Sequence, residues 1–432
     1  MGPIKNSFNM VILALSRRLK IDAHYVASGG FWMACGVVAS GLIGLATATA
    51  FANLLPKEVY GSYQYVLATV GILGILGLPG LKTAISRAAA RHMDGTFLDA
   101  VRARIRWSFL CAFAAAGVSA YYYLQGNAVL GSAFAVSACL LPWWEAYGSY
   151  VPYLQGKKRF DLMITYETLA QLTSAATLIA VMFLTDDLFI LCGAFFASWI
   201  VARLFLFRRT LAQIPPNNER DPSLLGYGKH LSLMSGVGTI ASNADKLLLW
   251  QFLGPVGLAV YTFALVVPQR GVSALASINR LYFPKAAVRD LQSIRVVLLR
   301  RVLILVGVAL MVAVAYFFIA PFLFQILFPQ YLEAVAYSQA AALLVALQPF
   351  SLFATTLSAH AKKRELYLYN IVPPFLQLLL LGALVPFYGL AGAIAALLVS
   401  RTVESVLVVI LFFAASGNDT SSDPHEDVVS DT

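Results

Sequence analysis

Long apolar runs separated by short polar loops constrain this chain more than any other feature of its sequence. Only 12% of the 432 residues are charged, about half the share in an ordinary soluble domain, and a run of about 20 apolar residues spans a bilayer as a helix. We therefore predict an all-α polytopic membrane protein with about 12 transmembrane helices. The runs lie near residues 28–52, 62–86, 107–124, 128–153, 162–184, 188–207, 231–253, 256–283, 302–328, 333–359, 366–388 and 390–415.

A longer polar stretch, residues 208–230, divides these runs into two sets of six. It predicts a linker between two six-helix lobes, and the ends of the chain are polar. The predicted organisation is a cytoplasmic N-terminus over 1–27 with a short interfacial helix near 8–15, an N-lobe over 28–207, the linker over 208–230, a C-lobe over 231–415 and a disordered acidic tail over 416–432.

The formal charge of +10 comes from basic residues that lie between the apolar runs. The N-terminus and alternate loops hold 24 of the 31 lysines and arginines, whereas Lys57 is the single basic residue in the opposite loops. Cytoplasmic loops carry this excess in membrane proteins. The charge therefore predicts that both termini are cytoplasmic and gives no reason to expect a nucleic-acid partner.

The cysteines and histidines show no spacing that points to covalent or metal chemistry. Cys35, Cys111, Cys139 and Cys192 lie singly inside apolar runs, and the five histidines include no pair at ligand spacing. Few polar side chains remain for a catalytic site. The sequence predicts no metal site, no cofactor and no enzyme.

The two halves of the chain carry matching basic segments. A shift of 205 residues lays Lys157-Lys158-Arg159 on Lys362-Lys363-Arg364, and a shift of 198 lays Lys82 on Arg280. These matches predict a parallel six-helix repeat. Anionic lipids attract basic side chains at the cytoplasmic surface, so we expect both triplets to contact them.

Several short segments between about residues 28 and 410 form a set of motifs. They are Leu54-Leu55-Pro56-Lys57-Glu58-Val59-Tyr60-Gly61-Ser62-Tyr63, Asp245-Lys246-Leu247-Leu248-Leu249 with Phe252-Leu253-Gly254-Pro255 and Leu258-Ala259-Val260-Tyr261, Gly156-Lys157-Lys158-Arg159-Phe160, Leu327-Phe328-Pro329-Gln330-Tyr331 with Glu333-Ala334, and Pro386-Phe387-Tyr388-Gly389-Leu390-Ala391-Gly392-Ala393. Together they resemble motifs of the polysaccharide flippases, which belong to the multidrug/oligosaccharidyl-lipid/polysaccharide (MOP) exporter superfamily.

The resemblance implies a bacterial inner-membrane flippase that moves polyprenyl-diphosphate-linked oligosaccharides outward by alternating access. Polysaccharide polymerase and glycosyltransferases are the partners that it implies. Two alternatives remain open. One is a small-molecule or multidrug antiporter with the same two-lobe plan, and the other is a membrane-embedded glycosyltransferase or polymerase, against which the short outer loops argue.

Cationic side chains inside apolar runs are the first candidates for substrate binding, because an intramembrane charge is expensive and commonly functional. Arg270 lies mid-run between Pro268 and Gly271, and its guanidinium suits a diphosphate; pairing with an acid such as Asp245 is the competing interpretation. The predicted cationic cavity consists of Arg270, Lys246, Lys82 and Arg401. Arg203 and Arg280 lie near basic loops, so we expect them to extend towards the cytoplasmic surface.

Four acids and two tryptophans complete the candidate residues. The acids Asp245, Glu145, Glu167 and Glu404 are candidates for proton coupling, which the superfamily resemblance implies. Arg401 and Glu404 lie three residues apart, so a local ion pair is the simpler expectation for them. Asp245 and Lys246 point about 100° apart on a helix and need other partners. Trp143 and Trp144 are candidates for stacking on sugar rings, with packing or an interfacial position as the alternative.

Overall fold

A computed structural model describes residues 23–287, 291–360 and 362–418 of the chain. The predicted interfacial helix near 8–15 and all but the first residues of the predicted acidic tail lie outside the described residues. Within the described ranges the regular secondary structure is helical, with no strand. This confirms the predicted all-α fold.

The helices follow one another with short connections. In chain order they are α1 (Ala23–Leu54), α2 (Lys57–Leu73), α3 (Leu81–Ala90), α4 (Gly95–Leu124), α5 (Ala128–Trp144), α6 (Tyr150–Gly156), α7 (Phe160–Met182), α8 (Leu188–Gln213), α9 (Leu224–Ala287), α10 (Leu291–Leu327), α11 (Val335–Ala341), α12 (Leu343–Leu347), α13 (Ser351–Ala359) and α14 (Lys363–Asn418). Short 3₁₀ turns cover Gly74–Gly77, Tyr147–Ser149, Pro329–Ala334 and Gln348–Phe350.

Nine segments of the described chain are long and apolar enough to cross a membrane. Two of them, within α9 and α14, contain a non-helical glycine: Gly254 has φ 68° and Gly389 has φ 55°. Glycine tolerates positive φ because it has no Cβ, so each segment is two helices joined by a sharp turn. With α7, whose 23 residues are long enough to span, the described chain provides the predicted twelve spans.

The chain divides after Asn243 into two compact units, so the division falls inside α9. The polar stretch that we predicted as a linker is held within the first unit. Its Asn217 side chain accepts a hydrogen bond from the backbone N–H of Asp94 at 2.9 Å and donates to the carbonyl of His92 at 2.5 Å. The backbone N–H of Asp221 donates to the Thr96 hydroxyl at 2.8 Å. These hydrogen bonds connect the stretch to the start of α4 and to the residues just before it.

Close backbone approaches position the short helix α3 in the first unit. A Cβ on Gly80 would lie 2.5 Å from both the carbonyl oxygen of Gly228 and the backbone nitrogen of Ser232 in α9. The backbone N–H of Gly80 also donates to the Ser232 hydroxyl at 2.9 Å. At the other end of α3, a Cβ on Gly156 would overlap the carbonyl oxygen of Ser86. Glycine at these two places lets α3 lie against α9 and α6.

Two spans are interrupted at corresponding places in the two halves. The span α5–α6 breaks at the 3₁₀ turn Tyr147–Ser149, and the span α12–α13 breaks at the 3₁₀ turn Gln348–Phe350. The 205-residue shift that aligns the basic triplets brings the first break to within a few residues of the second. Interrupted helices in corresponding positions of an internal repeat are the usual surroundings of transporter binding sites.

Candidate functional site

Glu145 is the centre of a charged group at the break in α5–α6. Its Oε2 accepts contacts from Lys82 Nζ and Arg104 Nη2, each at 2.7 Å, and Arg203 Nη1 lies 3.8 Å from Oε1. We call these four side chains the N-unit cation cluster. Three cations surround one carboxylate, so the cluster carries a formal charge of +2.

The local fold explains why Arg203 joins this cluster. Helix α5 ends at Trp144, and carbonyls in the last turn of a helix have no intrahelical partner. Arg203, on α8, donates to the Trp144 carbonyl at 3.0 Å and stacks over the Trp199 ring at 4.4 Å. The expected extension towards the cytoplasmic surface was wrong: the Arg203 side chain is 13% exposed.

Arg104 and Lys82 contact the same carboxylate oxygen in different surroundings. The Arg104 side chain is 1% exposed and also donates to the Ser149 hydroxyl at 3.0 Å, whereas the Lys82 side chain is 47% exposed. The Nε atoms of Arg104 and Arg203 are buried and have no hydrogen-bond partner in the described part of the chain. The cluster therefore has one cation fixed in the protein interior, one accessible cation and donors that Glu145 does not satisfy.

The remaining candidates of the first unit lie around the cluster. Glu167, on α7, accepts a hydrogen bond from the Tyr150 hydroxyl at 3.1 Å. Trp144 packs against Phe195 and Phe196 at ring-centroid distances of 6.2 and 5.3 Å. Trp143 is 38% exposed and meets Phe109 edge to face at 6.3 Å. Trp144 is therefore used for packing in this structure, and Trp143 keeps an accessible face.

In the second unit, Asp245 is buried and bonded to a neighbouring helix. Its carboxylate accepts the Tyr261 hydroxyl at 2.7 Å and the backbone N–H of Lys246 at 2.8 Å. Tyr261 follows the Gly254 turn, so this bond joins the two arms of α9. The Asp-Lys segment that resembles a family motif thus takes part in a contact between two helical arms, and Tyr261 is a partner of Asp245.

Arg401 and Glu404 form the expected local ion pair, with Arg401 Nη1 2.7 Å from Glu404 Oε2. The pair lines a cavity of about 140 Å³ at the break in α12–α13, which we call the C-unit cavity. Tyr369 also lines it and hydrogen-bonds Glu404. Arg270 is exposed and follows Gln269, another residue of the cavity wall.

Sequence reasoning missed Arg104 and undervalued Arg203. The third apolar run begins near residue 107, so the sequence predicts a loop position for Arg104, but α4 begins at Gly95 and carries Arg104 into the interior. Arg203 and Arg401 lie 198 residues apart, the shift that also aligns Lys82 with Arg280. This coincidence is the signal that identifies Arg203 from the sequence. Among the residues that the structure describes, no three His, Cys, Asp or Glu side chains are grouped to hold a metal ion.

The spans, the interrupted helices and the intramembrane charges define a multi-pass membrane protein with the fold of the MOP superfamily. A family model described as "Polysaccharide biosynthesis protein" matches residues 26–284. The chain therefore belongs to the polysaccharide biosynthesis protein family, which confirms the resemblance read from its motifs. No curated protein sequence matches the chain.

Solved structures of transporters share the fold at low sequence identity. A multidrug resistance MATE family transporter in its inward-facing conformation has a TM-score of 0.67 and 14% identity, over 89% of this chain and 96% of its own. The lipid II flippase MurJ, inward closed, has a TM-score of 0.68 and 12% identity, over 89% and 90%. A MOP superfamily transporter from Pyrococcus furiosus has a TM-score of 0.60 and 14% identity, over 92% and 96%.

Proposed function

We propose that the protein moves polyprenyl-diphosphate-linked oligosaccharides outward across the bacterial inner membrane by alternating access, for polysaccharide biosynthesis. The N-unit cation cluster is the observation that carries this proposal. Its surplus of two positive charges, with buried donors left over, suits the diphosphate of such a lipid. In this scheme glycosyltransferases supply the substrate at the cytoplasmic face and a polymerase consumes it outside.

The exposure of the cations suggests how the cluster acts. Arg104 stays bound to Ser149 and Glu145, while Lys82 is accessible and has a flexible stem. A phosphate group that approaches the cluster meets Lys82 first and competes with Glu145 for it. Water-poor surroundings strengthen this attraction, because the effective dielectric constant is lower than in bulk water.

The other proposed cations contribute less surplus charge. Arg401 is paired with Glu404, so its charge is balanced locally. Lys246 is half-buried next to Asp245, and Arg270 is exposed in α9. We propose these three as secondary contacts for the substrate, with Lys82 as the residue whose loss has the largest effect on binding.

Glu167 is the acid that best fits proton coupling. It is half-buried and accepts a hydrogen bond from Tyr150, and it has no ion-pair partner among the described residues. Glu145 and Glu404 each have a cation at 2.7 Å, and Asp245 joins the two arms of α9 through Tyr261. A proton carrier needs a carboxylate that is not fixed by a permanent counter-ion.

A multidrug antiporter is the second candidate, and the MATE structures support it through the fold alone. Antiporters of cationic drugs need acids that face the substrate without balancing cations. In the N-unit cation cluster the single acid is outnumbered three to one. A site with this charge repels a cationic drug and attracts an anionic lipid.

The test is transport by the purified full chain in proteoliposomes, with a fluorescent polyprenyl-diphosphate oligosaccharide placed in the outer leaflet, which is the cytoplasmic side for protein inserted inside out. We expect wild-type protein to move the lipid, and Lys82→Gln to slow the movement at least about tenfold, or about 1.4 kcal/mol. The matched control is Arg102→Gln, which removes an exposed cation that pairs with Asp99 outside the cluster.

Two results would contradict the proposal. One is an equal transport rate for Lys82→Gln and Arg102→Gln at equal protein level. The other is wild-type transport of a cationic dye with no movement of the diphosphate lipid, which would favour the antiporter.

A further inference from the structure

The C-unit cavity lies at the break between α12 and α13, and the described residues that line it belong to the second unit. Its polar wall includes Gln269, Gln348, Tyr369, Arg401 and Glu404, and its apolar wall includes Phe350 and Leu397. Its volume is about 140 Å³. Sites for drug-sized ligands measure about 300–1,000 Å³, whereas a cavity of about 150 Å³ holds one benzene ring. The space therefore suits the ring of a single sugar, whose substituents extend into the open part of the cavity.

The polar wall offers both hydrogen-bond donors and acceptors. Arg401 uses one guanidinium nitrogen for Glu404, and its side chain is 49% exposed, which leaves further donors available. Gln269 is exposed, and its amide offers both kinds of group. Hydroxyl groups of a sugar need this mixture, because each hydroxyl donates one bond and accepts others.

The apolar wall completes the match to a pyranose ring. Phe350 is half-buried and lines the cavity together with Leu397 and Val408. A pyranose has apolar C–H faces and a polar rim of hydroxyls, and an aromatic side chain packs well on such a face. The cavity presents both surfaces within one small volume.

The charges exclude other ligand classes that have the same size. Glu404 balances Arg401, so the wall has no net charge with which to hold a phosphate or a uronic acid. A hard divalent cation such as calcium needs six to eight oxygen ligands, commonly several of them carboxylates, and Glu404 is the one carboxylate among the described residues of this wall. A purely apolar ligand would leave the polar wall unsatisfied.

We propose that the C-unit cavity binds one uncharged sugar residue, a hexose or an N-acetylhexosamine, of the oligosaccharide that the protein transports. The inference rests on the proposed function, because the sugar belongs to the transported lipid. It also names the class of ligand that a second site binds. The cation cluster recognises the diphosphate, whereas the cavity recognises a neutral sugar and contributes to selectivity among oligosaccharides.

The closing experiment measures binding rather than transport. Purified full chain in detergent is studied by saturation-transfer NMR with methyl glucoside, methyl N-acetylglucosaminide and methyl glucuronide as separate probes. We expect saturable binding of at least one neutral glycoside and no saturable binding of the glucuronide. The Gln269→Leu variant, which removes the amide at an exposed position, should weaken the neutral binding at least about tenfold.

The Glu404→Gln variant provides a second, independent test of the cavity. It leaves Arg401 without its counter-ion, so binding of the glucuronide should appear in this variant. The control is Asp99→Asn, which breaks an i,i+3 acid–arginine pair of the first unit and should leave all three probes unchanged. Size-exclusion profiles and thermal stability identify any variant that fails to fold.

The outcomes separate this inference from the proposed function. Geranylgeranyl diphosphate, which has no sugar, serves as the probe for the cation cluster in parallel samples. Binding of this diphosphate without saturable binding of any neutral glycoside overturns the sugar site and leaves the proposed function standing. Binding of neutral glycosides that Gln269→Leu does not change also overturns it. Sugar binding without diphosphate binding supports the cavity and contradicts the proposed substrate.

Discussion

In the N-unit cation cluster, two cations contact one carboxylate oxygen at the same distance. Their contributions to stability can therefore be compared directly. Arg104 and Lys82 both lie 2.7 Å from Glu145 Oε2, but their side chains are 1% and 47% exposed. If distance governed the energy, removing either cation would have the same effect. If burial governs it, the two effects differ widely.

The expected magnitudes follow from the contacts. Arg104→Gln removes a charge-assisted hydrogen bond and the bond to Ser149, which contribute about 1.5–3 and 0.5–1.5 kcal/mol. The free energy of unfolding should therefore fall by about 2–4.5 kcal/mol. Lys82→Gln breaks a half-exposed pair, for which about 0.2–1 kcal/mol is typical.

The assay is reversible unfolding in mixed micelles with increasing sodium dodecyl sulfate, followed by tryptophan fluorescence and circular dichroism. Trp144 and Trp199 both contact Arg203, so the fluorescence reports on the cluster directly. Arg102→Gln, which breaks an exposed pair with Asp99, serves as the surface control. Equal losses for Arg104→Gln and Lys82→Gln, or a larger loss for Lys82→Gln, would refute the reasoning.

Three further predictions test other parts of the structure. Gly80→Ala places a Cβ 2.5 Å from the Ser232 backbone nitrogen and should destabilise the protein by about 1–3 kcal/mol, measured in the same micelle assay; an unchanged stability would contradict the close approach. Hydrogen bonds from Ser223 lower the pKa of Asp221, so its stabilising effect is present above about pH 3.9 and is lost as the pH falls below the lowered pKa. Proteolysis near Asp221 should then increase on acidification, and Asp221→Asn should reduce that pH dependence. A cysteine at Lys158 should react with impermeant reagents only from the cytoplasmic side, and labelling from outside would refute the proposed orientation.

The sequence was sufficient for the fold because apolar length is a direct physical requirement of the bilayer. The turn at Gly254 could be predicted as a boundary between two runs, and the structure has a positive-φ glycine there. The predicted run 333–359 is a series of short helices and 3₁₀ turns in the structure. Hydropathy does not detect such breaks, because the residues on both sides remain apolar.

The candidate site was harder to predict because burial is a tertiary property. Arg104 lies in a stretch with several arginines, and its neighbours Arg102 and Arg106 are more exposed. Counting basic residues between the apolar runs places all three arginines in a loop. The position of Arg104 opposite Glu145 follows from the packing of α4 against α5, which no local pattern encodes. The Arg401–Glu404 pair was predictable because residues three apart on a helix are neighbours.

The fastening of residues 217–221 to α4 has a practical consequence for handling the protein. By composition this polar stretch is the obvious place to insert a reporter, cut the gene into two co-expressed halves or add a protease site. Asn217 bonds both Asp94 and His92 there, and Asp221 bonds Thr96. Engineering at these positions would release the start of a membrane helix. The turn at Gly126 has open space around it, so an insertion beside this glycine, which is kept because its φ is 78°, is a safer choice.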